Sequence, residues 1–216
     1  MLQHVVLSTW VPSLVILGLT PLMVKPIFEH SWVGRISRAV THPLVGASLF
    51  ILNMWVWHVP PVYDMAASHS AGHYTMHFSF LATGVLFWWS VLSPAPEPYR
   101  LSTGAKLFYI FFSGFPMMLL AFMLVATPSP LYGYYESQPR LWGISAVTDQ
   151  QMGGAIMGTL GELTMFIPFT LLFFRLLSDD DAAHGSAQPP VAAEFHTVNE
   201  AILPHRQDDR INPTRR

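Results

Sequence analysis

Uncharged apolar stretches of membrane length recur along this chain, and the charged residues and many of the prolines fall in the segments between and after them. A helix needs roughly 20 predominantly apolar residues to cross the hydrocarbon core of a bilayer. Five stretches reach that order, at about 5–24, 39–59, 74–92, 107–127 and 151–177. None alternates polar with apolar positions as the strands of a membrane barrel do, so the pattern predicts helices. Helix-breaking residues sit in the connections: Pro60-Pro61 after the second stretch, Ser93-Pro94-Ala95-Pro96 after the third, Pro128-Ser129-Pro130 after the fourth. The expected fold is therefore all-α, a polytopic transmembrane bundle of about five helices within residues 1–177. From 178 to 216 the chain turns polar, with Asp179-Asp180-Asp181 and Pro189-Pro190. That segment reads as a disordered cytoplasmic tail.

Basic residues set the expected orientation, because cytoplasmic loops carry them in excess. Lys25, Arg35 and Arg38 lie in the first connection, Arg100 and Lys106 in the third, and Arg175 at the end of the fifth stretch. The second connection has none, and the fourth has only Arg140, beside Glu136. The amino terminus is thus expected outside and the carboxyl terminus inside. Trp55, Trp57, Tyr63, Tyr132, Tyr134, Tyr135 and Trp142 gather near the outer ends, as an interfacial aromatic belt does. The first apolar stretch has no basic start and carries Pro12 and Pro21, which argues for a membrane helix and against a cleaved leader.

Composition narrows the chemistry. Apolar residues make up 51% of the chain and charged residues only 11%, with a net charge of −2, so there is no electrostatic footprint for nucleic acid. Cysteine is absent, which removes disulfides, thiolate catalysis, iron–sulfur clusters and cysteine-ligated zinc. Any metal must be held by histidine, methionine or carboxylate. Histidine numbers 10 and methionine 11, and the thioether is a soft ligand suited to Cu(I).

On the expected topology His4 lies at the outer end of the first helix, His58 at the outer end of the second, and His69, His73 and His77 before and within the third. His73 and His77 are one helical turn apart, so both rings can point the same way, and His69 extends that stripe if the helix starts early. Asp64 and Asp149 bring carboxylates to the same level. Ionisable groups in membrane segments are costly and mark function more often than chance. His4, His58, His73, His77 and Asp149 are accordingly the candidate metal residues. Copper fits the set slightly better than zinc, because Met54, Met65 and Met76 lie at the same end, although methionine also fills gaps in apolar cores. A b-type haem with His58 and His77 as its axial pair is the competing reading. A membrane metallohydrolase is disfavoured, since no glutamate stands beside the histidines as a general base. His42 and His30 fall on the cytoplasmic side, and His184, His196 and His205 lie in the tail without ligand spacing.

Glu162 falls near the middle of the fifth helix, on a stripe with Gly154 and Gly158 that invites close approach of another helix. Pro12, Pro116 and Pro168 are expected to kink their helices.

Taken together, Gln3-His4, Thr41-His42-Pro43, Trp57-His58-Val59-Pro60 with Tyr63-Asp64, His73 and His77, Phe87-Trp88-Trp89, Pro130-Leu131-Tyr132 with Tyr135, and Asp149-Gln150-Gln151 before Gly153-Gly154 resemble the CtaG family of assembly factors for caa-type cytochrome c oxidase. The resemblance covers about residues 3–177. It implies a non-enzymatic helper in the bacterial plasma (inner) membrane that delivers copper to the catalytic subunit of the oxidase, with a periplasmic copper donor as a further partner. On that view His4, His58, His73 and His77 handle copper and Asp149 orients or neutralises its neighbours. Haem-binding electron transfer and a structural accessory role in the oxidase are the alternatives. Members of that family usually carry further membrane helices and another histidine ahead of the segment that Gln3-His4 matches.

Overall fold

The structure is a computed structural model that describes residues 1–29, 31–94 and 101–187. All regular elements among these residues are helical. Helix α1 is the apolar run Leu2–Gly18, followed by α2 (Pro21–Glu29), α3 (Ser31–Val40), α4 (Pro43–Trp57), α5 (Pro60–Ala67), α6 (Ser70–Leu92), α7 (Thr103–Ala126) and the short α8 (Gly133–Glu136). The last helix, α9, is a continuous run of Ala146–Ile156, a π-helical turn Met157–Gly161, and Glu162–Ala187.

Among the described residues three helices are long and apolar enough to cross a membrane: α6, α7 and the Ala146–Asp179 part of α9. Gly34–Val40 and α4, which meet at an angle of 59°, are long and apolar enough for a fourth span only when counted together as one broken helix. His42 and Pro43 make that corner. Pro43 occupies the first helical turn, where its missing N–H costs nothing, and the His42 ring accepts the Leu44 N–H. Helix α1 is about 26 Å long at 1.5 Å per residue, slightly short of the hydrocarbon thickness.

The five expected stretches map onto α1, α4, α6, α7 and α9, of which three, or four with the bent pair, have the length and apolarity of a membrane span, and the five alternate in direction along the chain. Asn53 bonds Thr83 and Trp57 bonds Ser79, so α4 and α6 are antiparallel. Gly154 meets Ala121 and Leu124 while Gly161 faces Met117, so α9 runs against α7. Trp10 bonds Thr164 and Met1 lies over Gly153, so α1 and α9 are parallel. The core at the centre of this bundle is built from Phe50, Met76, Phe80, Phe87, Trp88 and Leu120.

Three details differ from the expectation. The first helix begins at Leu2 and ends at Gly18, because Leu19 takes an extended conformation ahead of Pro21. His69 is the N-cap of α6 with φ −135° and ψ 133°, so it stands off the helical stripe of His73 and His77. Residues 178–187, expected in the disordered tail, continue α9 as helix, since no proline or strong breaker interrupts them before Gly185. The rest of that tail, His30 and residues 95–100, including Arg100, lie outside the described residues.

Helix α1 contains a π turn of its own, Val6–Trp10. Pro12 has no N–H to offer the Ser8 carbonyl, and the Ser8 and Thr9 hydroxyls donate back to carbonyls one turn earlier, at His4 and Val5. Both side chains are buried, and the π turn packs against α6. The closest approach is at Gly84, where a Cβ would collide with the Ser8 carbonyl oxygen and lie 2.8 Å from Pro12 Cγ.

Candidate metal centre

Position along α6 determines what meets α1. Residues 73, 77, 80 and 84 follow one another at intervals of four, three and four, and so share one face. Gly84 lets α1 dock; Phe80 and His77 then contact His4, with ring centroids 4.9 and 5.0 Å from it. The His73 and His77 rings sit edge to face at 4.4 Å, their Nε2 atoms 3.0 Å apart, one donating its N–H to the other. One ligand nitrogen from each of His4, His73 and His77 lies within 4.8 Å of the others. Two nitrogens each about 2 Å from one metal ion stand at most about 4 Å apart, so small side-chain rotations close this triangle on an ion. The site is graded in access: His73 is exposed, His77 half-buried and His4 only 6% exposed, with its Nδ1 enclosed and without a hydrogen-bond partner.

His58 is held differently. It caps α4, whose last turn is tied to α6 by the Trp57 indole N–H, shared between Asn53 Oδ1 at 2.9 Å and Ser79 Oγ at 2.7 Å. The His58 Nδ1–H donates to the Met54 carbonyl at 2.7 Å, which fixes the tautomer and leaves Nε2 with a bare lone pair. That Nε2 is buried and has no partner. His58 lies near enough to His4 for the two rings to interact electrostatically, but it is not one of the three nitrogens gathered within 4.8 Å. Asp149, exposed in the first turn of α9, is likewise outside that group. It joins His73 in another way: both line a cavity of about 600 Å³, together with Tyr63, Met76, Tyr135 and Arg140.

The remaining motif residues build the walls of this end of the bundle. Tyr63 and Tyr135 share a hydroxyl hydrogen bond of 2.7 Å, and the Tyr132 hydroxyl donates to the His58 carbonyl at 3.3 Å. Burial pushes the Tyr63, Tyr132 and Tyr135 hydroxyls above their ordinary range, so they stay protonated as donors. The Gln150 side chain accepts the Leu131 N–H at 2.7 Å and donates to the Leu124 carbonyl at 3.3 Å, pinning the connection to α9. The Asp64 carboxylate accepts the Gly133 and Tyr134 N–H groups, each at 3.1 Å, and thereby caps α8. Replacing Asp64 by alanine is expected to cost roughly 1–2 kcal/mol, read as a lower melting temperature and faster proteolysis of the connection around α8, with partial recovery in Asp64→Asn. Sequence reasoning placed Asp64 and Asp149 at the right level but did not foresee that Asp64 is engaged by backbone. It also missed Phe80 and Gly84, although their spacing from His73 and His77 carried the signal.

A polytopic helical membrane bundle with three converging histidines at one end, and a fourth buried beside them, is the class these features define. The chain belongs to the cytochrome c oxidase caa3 assembly factor family (Caa3_CtaG), whose pattern it matches over residues 1–179. It is also similar to uncharacterised proteins of Mycobacterium bovis and Mycobacterium tuberculosis, at 26% identity each, and of Mycobacterium leprae, at 23%. Each similarity covers 83% of this chain and 30% of the relative, so the chain spans less than a third of the length of these curated relatives. No solved structure gives a significant match.

Proposed function

We propose that this chain is a membrane-embedded assembly factor that handles copper for the catalytic subunit of cytochrome c oxidase, in the plasma (inner) membrane of a bacterium, without catalytic turnover of its own. The observation that carries the reading is the convergence of His4, His73 and His77 from two different helices. Imidazole suits copper, and Met76, which is buried and lines the same cavity as His73, adds a thioether for Cu(I). The gradient from exposed His73 to buried His4 suits an ion that is received from a periplasmic donor and then passed on. His58 offers its bare Nε2 as a further ligand beside His4. Asp149 supplies a negative charge in the cavity from which the ion is taken up.

Copper is favoured over haem by the ring geometry. The pair a haem would use is His58 and His77, and the His77 Nε2 is already met at 3.0 Å by the Nε2 of His73, where the iron would have to sit. The decisive experiment is genetic. A strain lacking this gene is expected to assemble oxidase depleted of copper and activity, restored by the wild-type chain and not by a chain carrying His73→Ala and His77→Ala. Oxidase of normal copper content in the deletion strain would remove the assembly role. Permanent, stoichiometric presence of the chain in mature oxidase would favour an accessory subunit instead.

A further inference from the structure

Glu162 lies near the midpoint of the Ala146–Asp179 span and faces Gly114, near the midpoint of α7. A Cβ at position 114 would stand 3.2 Å from Glu162 Oε2, so the carboxyl occupies space that any side chain there would take. Its Oε1 is enclosed and has no hydrogen-bond partner. Around it is a cleft of about 390 Å³ between α7 and α9, lined by Ile110, Phe111, Phe115, Met165 and Phe166. Among the described residues, no cation lines this cleft. Lys106 and Tyr109 on α7, Asp149, Arg175 and Asp179 on α9, and the amino terminus and His4 at the start of α1 are all outside its lining. Lys106 instead donates to the Val91 carbonyl.

An ionised carboxylate without partner or water in such a place costs several kcal/mol, whereas a neutral acid costs far less. The cleft opens toward lipid, where Phe111, Phe115 and Phe166 are about three-fifths exposed on its rim. A water occupies about 30 Å³, so the space admits the one or two that hydrate an acid. The π turn Met157–Gly161 directly precedes Glu162, and such turns lie frequently at functional positions.

We propose that Glu162 is a proton-binding site in the membrane interior, a neutral carboxylic acid that exchanges its proton through the cleft between α7 and α9. This function is separate from the histidine site at the end of the bundle. A lipid-soluble carbodiimide is the matching chemical probe. The acid adds across a C=N bond: the carboxyl oxygen bonds the central carbon and the proton moves to nitrogen, with no leaving group.

The test is infrared difference spectroscopy of the purified full chain at neutral pH, wild type minus Glu162→Gln. The expected result is a protonated-carboxyl C=O stretch that shifts down when the protein is transferred to D2O. Absence of the band, or a band that does not shift, overturns the proposal, the first by showing a carboxylate and the second a sealed, static acid. Should Glu162→Gln fail to fold, treatment of the wild type with dicyclohexylcarbodiimide serves instead. It should remove the band and leave an adduct on Glu162, while a water-soluble carbodiimide leaves that residue unmodified. Equal labelling by both reagents overturns the proposal.

Discussion

Replacing His73 and His77 together by alanine is expected to lower the Cu(I) affinity of the purified protein by more than about 100-fold. Loss of a single supporting partner around a metal already costs about 10–100-fold, and here two of three converging nitrogens go at once. The two single variants should fall well short of half the combined free-energy loss. Cu(I) accepts two ligands, and after either change His4 and the remaining histidine, with Met76 and His58 nearby, still offer a pair. Competition against a chromogenic Cu(I) chelator measures all three. A double variant that binds as the wild type does would move the copper site elsewhere. Neither residue belongs to the core, since His73 is exposed and His77 half-buried, so circular dichroism should report an intact bundle.

Gly84→Val should damage the same site from a distance. The new Cβ meets the Ser8 carbonyl oxygen, which is backbone and cannot swing aside. Overpacking within a core costs about 1–3 kcal/mol, and more where backbone must shift. The relief available is for α1 to move off α6, which carries His4 away from His77. Helical content should persist while copper affinity falls to the level of His4→Ala, and combining Gly84→Val with His4→Ala should bring little further loss. Full additivity of the two changes would show that α1 stays docked and that the glycine acts only on stability.

Much of this architecture is written plainly in the pattern of residues. Apolar length gave the bundle, and proline-rich connections separated its passes. The four-residue spacing of His73 and His77 gave a shared direction, and the glycines of α9 gave its close contact with α7, where a Cβ on Gly154 would stand 2.9 Å from the Ala121 carbonyl oxygen. What was not legible depends on who faces whom. Asp64 and Asp149 look alike as carboxylates at one depth, yet one is consumed by two backbone N–H groups and the other borders an open cavity. His58 reads as an equal member of the cluster, but its capping position and its bond to Met54 set it beside the triangle. Nothing in the spacing of His4 revealed how it would be turned toward His77, because that depends on an irregular helix.

That irregularity sets an angular phase. On α6, His77 and Gly84 are seven residues apart; on α1 their partners His4 and Pro12 are eight apart, and the two helices run parallel. Each residue turns a regular helix by about 100°, so seven residues come within about 20° of two whole revolutions, whereas eight overshoot by about 80°. The π turn Val6–Trp10 absorbs the surplus residue and brings His4 back into line with Pro12. The two helices therefore mesh like gears of unequal tooth count with one tooth skipped, and the geometry of the histidine cluster is encoded in a length difference as much as in the identity of any histidine.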